Sequence, residues 1–99
     1  MLEKDIKKAR KKIEKILKGI NKKTKTKEVE FSILSIREVN DILFCFIETY
    51  DTTKDKMYFC KVCFTKQETE KKIVLKEKIL QGINKYLYDI KGFVLKNKN

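Results

Sequence analysis

The sequence predicts an α+β domain ordered helix, three-stranded antiparallel meander, helix (α-β-β-β-α), on three observations. Apolar residues recur at helical spacing near the start, three runs rich in β-branched and aromatic residues occupy the middle, and a second helical pattern follows them. At 99 residues the chain suits one domain, and 41% hydrophobic residues suffice for a real core although 39% are charged.

From Leu2 the residues Ile6, Ala9, Ile13, Ile16 and Ile20 recur at spacings of four and three, with Leu17 widening the stripe. This predicts an amphipathic helix over 2–20. Lys4, Lys7, Lys8, Lys11, Lys15 and Lys18 fall opposite that stripe. Residues 21–27 contain no apolar side chain and read as a basic, solvated connector. The sheet is expected within 28–65, with strands at Glu28 to Arg37, Ile42 to Tyr50 and Met57 to Thr65. Asn40-Asp41 suits the first turn because both residue types tolerate left-handed backbone, and Asp51 to Lys56 makes a longer second turn. In the third run Tyr58, Cys60, Val62 and Phe64 share the face expected to meet the core, with Lys61 and Thr65 opposite. The second run is apolar on both faces, which suits a central position.

Thr65-Lys-Gln-Glu68 has the spacing of a capping box, and Ile73, Leu80, Ile83, Leu87 and Ile90 continue at helical spacing, so the second helix is expected over 66–90. Lys72 to Lys76 and Phe93 to Leu95 are the alternatives for a short extra strand, and a basic tail occupies 91–99. One nine-residue segment occurs twice: Glu14-Lys-Ile-Leu-Lys-Gly-Ile-Asn-Lys22 and Glu77-Lys-Ile-Leu-Gln-Gly-Ile-Asn-Lys85 differ at a single position. Either two Lys- and Ile-rich helices coincide in composition, or Gly19 and Gly82 share a packing role where elements approach closely.

The chain has no histidine, which removes imidazole acid/base catalysis and Ser-His or Cys-His nucleophile pairs. Its carboxylates are scattered without a pairing motif, and its three glycines are isolated, so no phosphate loop exists. Cys60-Lys-Val-Cys63 has the spacing of a metal knuckle, but only Cys45 remains to join it, and in a strand residues 60 and 63 point to opposite faces. The expectation is a non-enzymatic protein without metal or cofactor. Its start breaks every apolar stretch with charge, no run approaches a membrane span, and three cysteines without an export signal suit a reducing cytoplasm.

Residues 1–27 carry +9 of the chain's +11. Such a cationic segment beside a near-neutral body is the footprint of a protein that docks on a polyanion. The candidate nucleic-acid-binding residues are Lys4, Lys7, Lys8, Lys11, Lys15, Lys18, Lys22, Lys23, Lys25 and Lys27. Lysine outnumbers arginine 23 to 2, and lysine acts as a point charge on phosphate rather than as a reader of base edges, so weak sequence specificity is expected. The expected partner is nucleic acid, RNA in preference to DNA, with an acidic protein as the other polyanion. A membrane is not expected, since the apolar stripe lacks Trp and Phe and is needed for the core. A coiled-coil homodimer through Leu2, Ile6, Ala9, Ile13, Ile16 and Ile20 is a competing use of that stripe.

The element order resembles that of the double-stranded-RNA-binding domain and of the Alu-binding proteins of the signal recognition particle, which implies shape recognition of structured RNA. The resemblance is one of topology. The loop Val39-Asn40-Asp41 lacks the histidine of the former's first loop, and only Lys71-Lys72 echoes the basic start of its last helix. The alternative function is a small protein-interaction or inhibitor protein, of the kind viruses and mobile elements encode, acting through an exposed sheet face. Ile42, Phe44 and Phe46 facing away from both helices would mark it.

Overall fold

In the computed structural model, which describes residues 1–96, the chain forms α1 (Glu3–Thr24), a 3-10 turn (Lys25–Lys27), β1 (Val29–Val39), β2 (Ile42–Asp51), β3 (Lys56–Thr65), α2 (Lys66–Thr69) and α3 (Lys72–Lys91). The strands make one antiparallel sheet in the order β1-β2-β3. This is the predicted α+β order. The end of the expected basic tail, 97–99, lies outside the described residues.

The first helix runs past its expected end at residue 20, and the expected connector 21–27 is its last turn followed by the 3-10 turn. Two polar side chains hold this extension where apolar ones are absent. The Thr24 hydroxyl, fully buried, donates to the carbonyls of Ile20 at 3.2 Å and Val29 at 3.0 Å. Asn21 grips the backbone of Phe31 twice: its amide donates to the carbonyl and its side-chain oxygen accepts from the N–H, both at 2.8 Å. Glu28 then takes a left-handed conformation, φ 60°, and turns the chain into β1.

Asn40 and Asp41 both have positive φ, 51° and 62°, and close a two-residue hairpin as their residue types predict. In β2 the odd-numbered residues Leu43, Cys45, Ile47, Thr49 and Asp51 are buried and the even ones half-buried. β1 contains a bulge between Ile33 and Ser35. Strict alternation would send Ser35 and Arg37 inward; the extra residue Leu34 reverses the parity, so that Ile36 joins Val29, Phe31 and Ile33 on the core side. On β3, Cys60, Val62 and Phe64 are buried on the face predicted.

The expected helix over 66–90 is broken. The capping box at Thr65 is formed, with Glu68 N–H on the Thr65 hydroxyl at 3.2 Å and Thr65 N–H on the Glu68 carboxylate at 2.8 Å, but it starts only the single turn α2. Lys71 is extended, and α3 begins anew at Lys72. Within α3, Leu75, Ile79, Leu80, Ile83 and Leu87 are buried, whereas Ile73, expected on the stripe, lies in the first turn and is 60% exposed. Residues 72–76 are helix rather than strand. Residues 93–95 form no strand either; after Gly92 ends α3 with φ 72°, they return along it. A strand needs a neighbouring strand, and here Asn84 takes that place, donating to the Leu95 carbonyl at 2.9 Å and accepting from its N–H at 2.8 Å.

The repeated segment therefore does the same work twice. Ile16, Leu17 and Ile20 of α1, like Ile79, Leu80 and Ile83 of α3, enter the core, while Asn21 and Asn84 each grip one residue of an extended segment. The glycines do not share a role. A Cβ on Gly82 would lie 2.9 Å from Cγ2 of buried Val62, whereas one on Gly19 would meet nothing within 4 Å. Alanine at Gly19 should raise stability by about 1 kcal/mol through helix propensity. The same change at Gly82 should lower it, because a β-branched neighbour in a packed core cannot yield without strain. Urea unfolding of the two variants checks the opposite signs.

Candidate nucleic-acid interface

Helices α1 and α3 pack on the same face of the sheet, α1 against β1 and α3 against β3. Ala9, Ile13, Ile16, Leu17 and Ile20 of α1 are buried there. Their burial takes Ala9, Ile13, Ile16 and Ile20 out of the coiled-coil homodimer considered for this stripe, leaving only Leu2 exposed and Ile6 half-buried. It also fixes which side of α1 meets solvent.

All ten candidate lysines are exposed. The helical extension brings Lys22 into line with Lys4, Lys8, Lys11, Lys15 and Lys18, six lysines spaced alternately by four and three. At 100° per residue these six and Lys7 fall within an arc of about 100° centred opposite the core stripe, and Lys4 to Lys22 span about 27 Å of axis. Lys23, Lys25 and Lys27 leave this line. Lys23 lies toward its flank, Lys25 and Lys27 sit in the 3-10 turn, and Lys27 Nζ lies over the Phe93 ring at 5.4 Å.

The acidic residues of α1 do little to neutralise the line. Asp5 accepts from the Leu2 N–H at 3.2 Å and faces Lys66 at 4.0 Å, and Glu14 pairs with Arg10 at 3.3 Å. Glu3 approaches Lys7 at 4.0 Å, both groups being exposed. Among the described residues no ion pair involves Lys4, Lys8, Lys11, Lys15, Lys18 or Lys22. Lys12, off the line, instead donates to the Thr69 carbonyl at 3.1 Å and ties α1 to α2. A cleft of about 490 Å³ beside the end of α1 is bordered by Lys18, Lys22 and Lys25, but Glu28 and Glu30 border it too, so it is no anion pocket.

The opposite face of the sheet carries no helix. It presents Ile42, Phe44, Phe46 and Tyr50 from β2, with Met57 and Phe59 of β3 about half exposed. Ile42, Phe44 and Phe46 thus face away from both helices, the condition set above for an interaction surface. Charges on this face are segregated along the strands. Glu30 and Glu48 lie toward one end, Arg37 toward the other and Lys61 in the middle row, with Lys61 Nζ 5.8 Å from the Phe44 ring centroid. Sequence reasoning did not find Met57, Phe59 or this segregation. The alternation of β3 held the signal for Met57 and Phe59, but the placement of Arg37 depends on the bulge.

Cys60 points into the core and Cys63 to the open face, so the two cannot clamp one ion. Burial pushes the Cys45 thiol up to about 12 and that of Cys60 up to about 11, keeping both protonated near neutrality. Among the described residues no cluster of Cys, Asp or Glu is arranged to hold a metal, and no helix is long and apolar enough to cross a membrane.

Comparison with protein-family models, curated proteins and solved structures gives no match.

Proposed function

We propose that the chain is a small, non-enzymatic nucleic-acid-binding module of the cytoplasm that holds structured RNA, or a duplex generally, by phosphate contacts. The observation that carries this reading is the unneutralised lysine line on α1. Its cations repeat alternately about every 6 and 4.5 Å, on average about 5.4 Å, along a straight axis, close to the spacing of successive phosphates on one strand, and a packed core holds the line in place. Lysine supplies charge without base reading, so affinity follows the polyanion more than its sequence.

The test is binding of an RNA duplex of about 20 base pairs, followed by fluorescence anisotropy as a function of salt. About five phosphate contacts give a log-log slope near −4 to −5. No binding at about 50 mM salt overturns the reading. A second reading, a protein-interaction module, is favoured by the uncovered sheet face, whose half-exposed Met57 and Phe59 extend the Ile42, Phe44 and Phe46 surface.

A further inference from the structure

We infer that the open sheet face pairs two copies of this chain, face to face, about a two-fold axis that lies between the sheets and runs perpendicular to the strands. The register sets the pattern on which this rests. From one end of the sheet to the other, facing outward, β1 presents Glu30, Ser32, Ser35, Arg37 and Val39 against Tyr50, Glu48, Phe46, Phe44 and Ile42 of β2. β3 adds Met57, Phe59, Lys61, Cys63 and Thr65 in the same order. Phe46 is in the middle row. Carboxylates occupy the rows on one side of it, and Arg37 and Lys61 the middle row and the next.

Two in-plane axes can stack such a face on itself. An axis along the strands lays each row on itself, so that Glu48 meets the partner's Glu48 in the same row. An axis across the strands inverts the rows. It sets the end bearing Glu30 and Glu48 against the partner's end bearing Arg37, lays Phe59 over the Phe44 and Cys63 row, and puts the two Phe46 rings at the axis. This second arrangement sets Arg37 diagonally beside the partner's Glu48 and the partner's Glu30. The like-charge contact it leaves, Lys61 over the partner's Lys61, lies on the exposed edge strand β3, whereas the Glu48 pair of the first lies on the central strand β2, so the second is favoured.

The face is neutral in sum, which disfavours other occupants. A nucleic acid crossing it would run its phosphates past Glu30 and Glu48, and a strongly charged protein would be repelled at one end or the other. The high net charge does not oppose the pairing. The lysine line of α1 lies behind the sheet, and the molecule's shortest extent is 18 Å, so two lines on the outer sides of the pair are separated by several Debye lengths of about 8 Å at 0.15 M salt.

Three strands of ten or eleven residues cover about 500 Å² in projection. Two copies then bury on the order of 1,000 Å² together, at the lower end for specific interfaces, so the dimer should form with a Kd in the micromolar range.

Sedimentation of the whole chain in 0.15 M salt, without nucleic acid, tests this between about 1 and 500 µM. The expected mass rises from 11.8 kDa to twice that. Phe46→Glu should raise the dimer Kd more than tenfold while circular dichroism shows the fold retained. The pair Arg37→Glu with Lys61→Glu, and the pair Glu30→Lys with Glu48→Lys, should each give monomers, and an equimolar mixture of the two should dimerise. A wild-type chain monomeric at about 500 µM overturns the inference, as does a dimer indifferent to Phe46→Glu or a mixture that stays monomeric. Because the lysine line takes no part, replacing it leaves this result unchanged, and the two readings fail separately.

Discussion

Changing Lys8, Lys11, Lys15 and Lys22 together to glutamate is expected to weaken binding of an RNA duplex by at least about 1,000-fold at 0.15 M salt. The magnitude follows from counterion release. Each phosphate contact contributes about 0.9 to the slope of log K against log salt, so four contacts account for about three decades at that concentration, before any repulsion from the new carboxylates. All four side chains are exposed and on the side of α1 away from the core, so the urea midpoint should move little. The salt slope should fall by about 4. Changing Lys76, Lys85, Lys54 and Lys66 to glutamate alters net charge equally but lies off the line, and should cost far less. Equal losses from both sets would mean that net charge alone attracts the polyanion and that the ordered line does nothing specific. Retention of binding by the first set would remove α1 from the interface.

The features legible from sequence were those set by periodicity and turn chemistry. The α1 stripe, the hairpin at Asn40-Asp41, the inward face of β3 and the capping box at Thr65 each depend on a few neighbouring residues, and each is present. The illegible features were set by contacts between segments distant in the chain. α1 continues to Thr24 because Asn21 and Thr24 find backbone partners on β1, and no pattern within residues 21–27 announces that. The break at Glu70 and Lys71, and the burial of Leu75 and Ile79 rather than Ile73, are set by how α3 meets the sheet. The candidate lysines were legible as a charge cluster, but the straightness of the line was not, since Lys22 joins it only through the helical extension. The bulge at Leu34 decides where Arg37 points, and with it the charge pattern of the open face.

Asp51→Ala is expected to destabilise the fold by about 3 kcal/mol, through a carboxylate that joins three parts of the chain. Asp51 ends β2 and is fully buried. Its Oδ1 accepts from the Thr53 hydroxyl at 2.6 Å, the N–H groups of Thr53 and Lys54 at 3.0 and 3.3 Å, and Lys91 Nζ at 3.1 Å. The first three contacts shape the β2–β3 turn, and the fourth fastens the last residue of α3 to it. Alanine leaves two turn amides without their acceptor and the Lys91 ammonium, only 16% exposed, without its counter-charge. The hydrogen bond from Thr53 does most to hold the Asp51 carboxyl down to about 2, with Lys91 and the backbone N–H groups adding to it against the opposing effect of burial. A folded-state pKa below the unfolded value of 3.8 gives stability that is fully present above about pH 4 and is lost as pH falls toward 2. Glu68 is likewise lowered, first by its hydrogen bond from Lys78, and so is Asp41, first by its hydrogen bond from the Met1 ammonium, so Asp51 is not alone in this. Asp51→Asn keeps an acceptor oxygen and removes the titrating group. Its urea midpoint should lie below wild type at pH 7, and the gap should narrow between pH 4 and pH 2 while the Glu68 contribution falls in both proteins. Parallel curves over that range would show that the Asp51 carboxylate is not held ionised by Thr53 and Lys91.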